Sequence, residues 1–201
     1  MNMGMVENRS GIAPAGTGLY EYLLVAHPPA EVYAQVMAEK QFFHAQFKTP
    51  VAIKTKPHIT VANFLAVEQL EETIIRWMHR GLSTRKSFQV TLNEFGAFRP
   101  HTIYLKIQDH GPFQALAREL KAVDQFIQSY GCPKMKLVDN AHLTIARRLD
   151  AATYQEAVKL YSEKTFHAAF EVNELLLLRR RDQFDTCRLL NVFRLQPGDA
   201  A

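Results

Sequence analysis

Two stretches of this chain, 84 residues apart, repeat one pattern: KPHITVANF carries His58 and Thr60, and NAHLTIARR carries His142 and Thr144. Each runs His, apolar, Thr, apolar, inside a β-branched run that favours a strand over a helix. Alternate side chains of a strand share a face. His58 and Thr60 should therefore point one way while Ile59 and Val61 point the other, and the same parity separates His142 and Thr144 from Leu143 and Ile145. At strand rise the Cα atoms of each His-x-Thr lie about 6.6 Å apart, a span one phosphoryl group can bridge.

The flanking elements repeat as well. LYEYLLVA predicts a strand, ended by His27-Pro28-Pro29 before a helix to about Phe43 with Val32, Val36 and Met37 on one side. A loop bearing Lys48, Lys54 and Lys56 leads into the first His strand. Val67, Leu70, Ile74 and Trp77 then recur at helical spacing up to Gly81, and SFQVTLNEFGAF predicts a strand. From Arg99-Pro100 the order recurs. HTIYLKIQ is a strand, and Phe113, Leu116, Leu120, Val123 and Ile127 form a helical stripe closed by Gly131. A loop with Lys134 and Lys136 delivers the second His strand, followed by a helix over about Ala152 to Glu163 with Tyr154, Val158 and Tyr161 on one face. FHAAFEVNELLLL reads as one strand, and DTCRLLNVFRL as the last.

Such a duplication predicts an α+β fold of two similar lobes, from pseudo-repeats at about 19–99 and 100–195. Each lobe is an antiparallel or mixed sheet with helices outside, and the two face each other across a cleft where the histidines meet. No linker rich in Gly, Ser or Pro separates them, so residues 18–201 read as one two-lobed domain. Residues 1–17, with Gly4, Gly11, Pro14 and Gly16, read as a mobile tail.

The chemistry that uses two such units is general acid–base catalysis at phosphorus. One neutral histidine takes a proton from an attacking oxygen and a second, protonated, gives one to the leaving oxygen; an unperturbed pKa near neutrality suits both roles. The threonine hydroxyls would donate to the non-bridging oxygens. Either histidine could be base or acid. A lone His-x-Thr carries little information in a chain with eight histidines; two, at equivalent points of a repeat, carry much.

The paired motifs, one per half of a chain of this length, resemble those of the 2H phosphoesterase superfamily, which includes 2′-5′ RNA ligase-like proteins and cyclic phosphodiesterases. The resemblance implies two mainly antiparallel sheets around a central cleft, with His58, His142, Thr60 and Thr144 catalytic. It also implies a nucleotide or RNA terminus as partner, with a 2′,3′-cyclic phosphate or a 2′-5′ linkage as the reacting group. No cofactor or metal is expected, and the chain is read as a monomer. Two other readings compete: a nucleotide- or RNA-binding module without turnover, and an enzyme that degrades cyclic oligonucleotide signals.

Composition sets the outer bounds. With 47% hydrophobic residues the chain can build a core, and a net charge of +4 with pI near 9.1 permits a nucleic-acid partner without demanding one. Cys132 and Cys187 read as reduced thiols of a cytoplasmic protein. No apolar run approaches a membrane span, and nothing suggests export. No His-Glu-x-x-His or Cys/His cluster supplies the three or four ligands of a zinc site.

Lys54, Lys56, Lys134 and Lys136 are candidates for attracting a phosphate, against the ordinary fate of loop lysines as solvated charges. Strand parity also carries the cleft face to Phe64 and Arg148, although six residues, about 20 Å, separate each from its histidine. Arg179, Arg180 and Arg181 read as a solvated turn in preference to an RNA track. Phe43 or Phe47 could stack on a base. The remaining histidines, His27, His44, His79, His101, His110 and His167, read as surface or packing residues.

Overall fold

The computed structural model describes residues 18–181 and 185–198, so the tail expected over 1–17 lies outside the described residues. In chain order the elements are β1 (Leu19–Ala26), α1 (Ala30–Phe47), α2 (Pro50–Lys54), β2 (Ile59–Val67), α3 (Glu71–Leu82), β3 (Phe88–Phe98), β4 (Thr102–Ile107), α4 (Gly111–Glu119), α5 (Lys121–Ser129), β5 (Lys136–Leu137), β6 (His142–Ala146), α6 (Ala151–Ser162), β7 (His167–Val172), β8 (Glu174–Arg180) and β9 (Arg188–Arg194). The fold is α+β, as the repeat predicts.

Three local departures from the sequence reading have physical causes. The lysine loop after α1 contains the short helix α2, because Pro50 sits at its first turn, where a fixed φ and a missing N–H cost nothing. The apolar stripe from Phe113 to Ile127 is two helices, broken where the Leu120 N–H bonds back only three residues to the Ala117 carbonyl. The continuous apolar run FHAAFEVNELLLL splits at Asn173 into β7 and β8, which go to opposite ends of the sheet.

The strands lie in the order β7-β3-β4-β6-β2-β1-β8-β9, with β5 as a second partner of β2, and every ladder between them is antiparallel. The two sheets expected from the repeat are thus two halves of one hydrogen-bonded sheet. They meet where the two His strands touch, through the single pair Ile59↔Leu143. Nor does each repeat build its own half. β3, from the first repeat, completes the half holding β4 and β6, and β8 and β9 complete the half holding β1 and β2. The helices cross too: α1 packs on β6 and β7, and α4 on β2.

One apolar core runs through both halves, with Leu24, Val36, Phe43, Phe64, Phe113, Leu143 and Phe193 among its buried members. Ile59 and Leu143, the joint itself, are both 0% exposed. Burying side chains of this size contributes about 1.5–3 kcal/mol each, so the junction is held by packing as well as by its ladder pair.

Each His strand carries a β-bulge at the same place. In β1–β2 the register passes from Leu24↔Ala62 to Val25↔Thr60, leaving Val61 as the extra residue. In β4–β6 it passes from Ile103↔Ala146 to Tyr104↔Thr144, leaving Ile145 extra. Both are the third residue after the histidine. Because a bulge sets two consecutive residues on one side, Val61 and Ala62 are both buried, as are Ile145 and Ala146.

Candidate active site

The Ile59↔Leu143 pair sets the geometry of the motifs. Antiparallel register through it brings His58 alongside Thr144 and Thr60 alongside His142, so each histidine lies across from the threonine of the other motif. The four polar side chains share the partly exposed face, while Ile59 and Leu143 turn into the core.

Both rings are anchored in the same way. His58 Nδ1 lies 2.7 Å from the Lys56 carbonyl and His142 Nδ1 lies 2.8 Å from the Asn140 carbonyl, in each case two residues back. A carbonyl can only accept, so both Nδ1 atoms carry the proton and both Nε2 atoms are left for a ligand. Burial lowers the pKa of both rings. For His58 the Lys56 carbonyl partly opposes this, but His27, Lys40 and Arg147 add positive charge and the pKa is pushed down to about 4. For His142 the Asn140 carbonyl opposes burial and His110 reinforces it. A bound phosphate would favour the imidazolium in each case.

Two cations near this face escape the sequence reading. Lys40, on α1, is 1% exposed. Its Nζ donates to the Thr144 carbonyl at 3.1 Å, the Ile145 carbonyl at 3.1 Å and Thr55 Oγ1 at 3.2 Å, and so ties down the bulge behind the second motif. Burial, then the charge of Arg147, pushes its pKa down to about 8. Its position in the stripe Val32, Val36, Lys40, Phe43 was the available signal. Arg147 follows the bulge in β6. It makes no hydrogen bond or ion pair among the described residues, and burial with the like charges of Arg148 and Arg180 lowers its pKa. An anion would relieve that crowding.

The bulges also correct the parity argument. Phe64 belongs to the core, 2% exposed and stacked on Tyr22 with ring centroids 5.0 Å apart. Asn63 takes its place beyond the first motif, donating to Glu21 Oε1 at 2.6 Å. Arg148 has φ +58 and lies past the end of β6, so it continues no strand face. Phe43 is 0% exposed and packs on Phe47 and Tyr161, so it is no base platform. Arg179 and Arg180 form no solvated turn: they end β8, Arg179 held by Glu68 and Glu71 at 2.7 and 2.8 Å, Arg180 by Glu21 at 2.6 Å.

Of the four candidate lysines, Lys56 borders the first motif through its carbonyl, and Lys136 lies on β5 opposite Asn63. Lys54 and Lys134 are exposed and form no hydrogen bond or ion pair among the described residues. Two of the histidines read as surface or packing residues instead adjoin the motifs. His27 lies 6.5 Å from His58 between ring centroids, and the charge of His110 reaches His142. No group of three or more His, Cys, Asp or Glu among the described residues is arranged to hold a metal ion, and no helix among them is long and apolar enough to cross a membrane.

The two His-x-Thr strands thus meet at the centre of a single antiparallel sheet braced by crossed helices. The chain belongs to the 2′-5′ RNA ligase superfamily, whose sequence profile matches residues 28–183. Among solved structures it is similar to TT0787 of Thermus thermophilus, with 21% identity, a TM-score of 0.68, and 88% of this chain and 98% of that one covered. Escherichia coli LigT complexed with 3′-AMP matches at 16% identity and a TM-score of 0.61 over the same shares of the two chains. LigT complexed with NADP+ matches at 16% and 0.57. Curated protein sequences provide no match.

Proposed function

We propose that the protein is a metal-independent phosphodiesterase acting on a nucleotide or RNA end, opening a 2′,3′-cyclic phosphate or a 2′-5′ linkage, with His58, His142, Thr60 and Thr144 as its catalytic residues. The observation that carries this reading is the matched anchoring of the two histidines. Each donates Nδ1–H to a carbonyl two residues back, and each keeps Nε2 for the reacting group. A neutral ring in this state can accept a proton from the attacking oxygen, and a protonated one can donate to the leaving oxygen. In hydrolysis of a cyclic phosphate, water's oxygen bonds to phosphorus as its proton passes to one Nε2. The bond to one ribose oxygen breaks as the other Nε2 delivers its proton there, and the product is a phosphate monoester. Thr60 and Thr144 donate hydrogen bonds to the non-bridging oxygens, where charge develops. Arg147, which makes no hydrogen bond or ion pair among the described residues and feels the Glu21 carboxylate only at a distance, supplies a cation for the same phosphate.

The substrate class is supported by superfamily membership and by the 3′-AMP bound to the similar E. coli LigT. Wild type and His58→Ala should be assayed on nucleoside 2′,3′-cyclic phosphates and 2′-5′ dinucleotides with and without excess chelator. Turnover by wild type, untouched by chelator and lost in the variant, is the expected result. Rate abolished by chelator would require a metal mechanism, and tight binding without product would make the protein a nucleotide-binding module.

A further inference from the structure

The two motifs are alike, but their surroundings are not. Across the ladder from Thr60 stands Val25; at the equivalent position across from Thr144 stands Tyr104. On its other side Tyr104 pairs with Gly96 of β3, and its ring lies so close over that residue that a Cβ there would fall 2.6 Å from the ring. The missing side chain lets the ring lie down across the strand. It stacks on Phe98 with centroids 4.1 Å apart and planes 16° apart, and His142 meets the two rings steeply inclined, at 5.2 and 4.9 Å. Both aromatic residues remain partly exposed and help to wall a cavity of about 210 Å³, with Ile107 beside them and Lys106, His110 and Asn140 as its polar members.

We propose that this cavity seats the heterocyclic base of the nucleoside that bears the reacting phosphate, with the base against the Phe98–Tyr104 pair. The inference rests on the phosphodiesterase reading and adds to it the side of the cleft on which the nucleoside lies. Cavities that enclose whole drug-sized ligands run to roughly 300–1,000 Å³, so this one fits a single heterocycle whose sugar and phosphate extend outward to His142. Its wall is aromatic and aliphatic, which suits the face of a base. The Lys106 ammonium, the Asn140 amide and the His110 ring provide donors and an acceptor for the base's edge. A second phosphate would leave the aromatic wall unused. Near His58 the neighbouring ring is His27, tilted at 44° and 6.5 Å away, and among the described residues no stacked aromatic pair meets His58.

The test compares two substrates, adenosine 2′,3′-cyclic phosphate and 1-O-methylribose 2,3-cyclic phosphate, which lacks the base. Wild type should favour the nucleoside in kcat/KM by roughly 5- to 150-fold, the range that base–aromatic stacking supplies. Tyr104→Leu should bring that ratio towards one. Gly96→Ala, which keeps the tyrosine and dislodges its ring, should do the same. A pair that merely supports His142 would slow both substrates alike and leave the ratio unchanged, which overturns the proposal, as does a wild type with no preference. Calorimetric binding of adenosine 3′-monophosphate against ribose 3-phosphate reads the same ratio without turnover. An inactive protein that still prefers the nucleotide there, and loses the preference in both variants, retains the base site while the phosphodiesterase reading fails.

Discussion

A histidine works at phosphorus when one ring nitrogen is held and the other is free, and here a carbonyl two residues back does the holding for His58 and for His142 alike. Removing either ring, as His58→Ala or His142→Ala, should lower kcat/KM on a cyclic nucleotide roughly 10²- to 10⁴-fold, with the circular dichroism spectrum retained. In the proposed reaction Lys40 would act on His58 from behind. Its charge disfavours the imidazolium at His58, so Lys40→Met should raise that pKa. The acidic limb of the kcat/KM profile should then move to higher pH if His58 is the base, while Lys40→Arg should keep it near the wild-type position. The same Lys40→Met change leaves the carbonyls of Thr144 and Ile145 without their donor, a loss of about 1–3 kcal/mol on urea unfolding.

At the level of the element, the sequence disclosed the strands and their faces only as far as the bulges. The alternation of KPHITVANF and NAHLTIARR correctly separates His and Thr from their apolar neighbours for three residues. Val61 and Ile145 then each add a residue to one strand, and parity counted beyond them selects Phe64 and Arg148 where the fold presents Asn63 and Arg147. No residue type announces these bulges: valine and isoleucine are ordinary strand residues, and the irregularity arises from the pairing partner. The Asn173 break was hidden for a related reason, since apolar strands on both sides read as one. A direct comparison follows. Arg147→Ala should weaken binding of a nucleoside monophosphate by roughly 10- to 150-fold, as expected for losing a charged hydrogen bond. Arg148→Ala should change it far less, and isothermal titration would separate the two.

For the whole molecule, proton linkage and topology both have consequences. His58 stays neutral in the fold down to about pH 4, against 6.5 for a free histidine. Between those values the unfolded chain binds the extra proton, so the stabilisation is complete above pH 6.5 and drains away as pH falls through the window. Thermal melts should therefore show a lower Tm at pH 5 than at pH 7, and the drop should shrink in His58→Ala. The recurring order of strands and helices was legible from the two His-x-Thr copies and the hydrophobic periodicity between them. The exchange of parts was not, because a repeat shows which units exist and is silent on which half each one joins. β3 deserts its own repeat, and α1 and α4 each brace the opposite half. Severing the backbone between Arg99 and Pro100 would consequently free two pieces that both lack essential partners. Neither should fold in isolation, while mixing them should restore one molecule by fragment complementation, the two pieces interlocking like clasped hands.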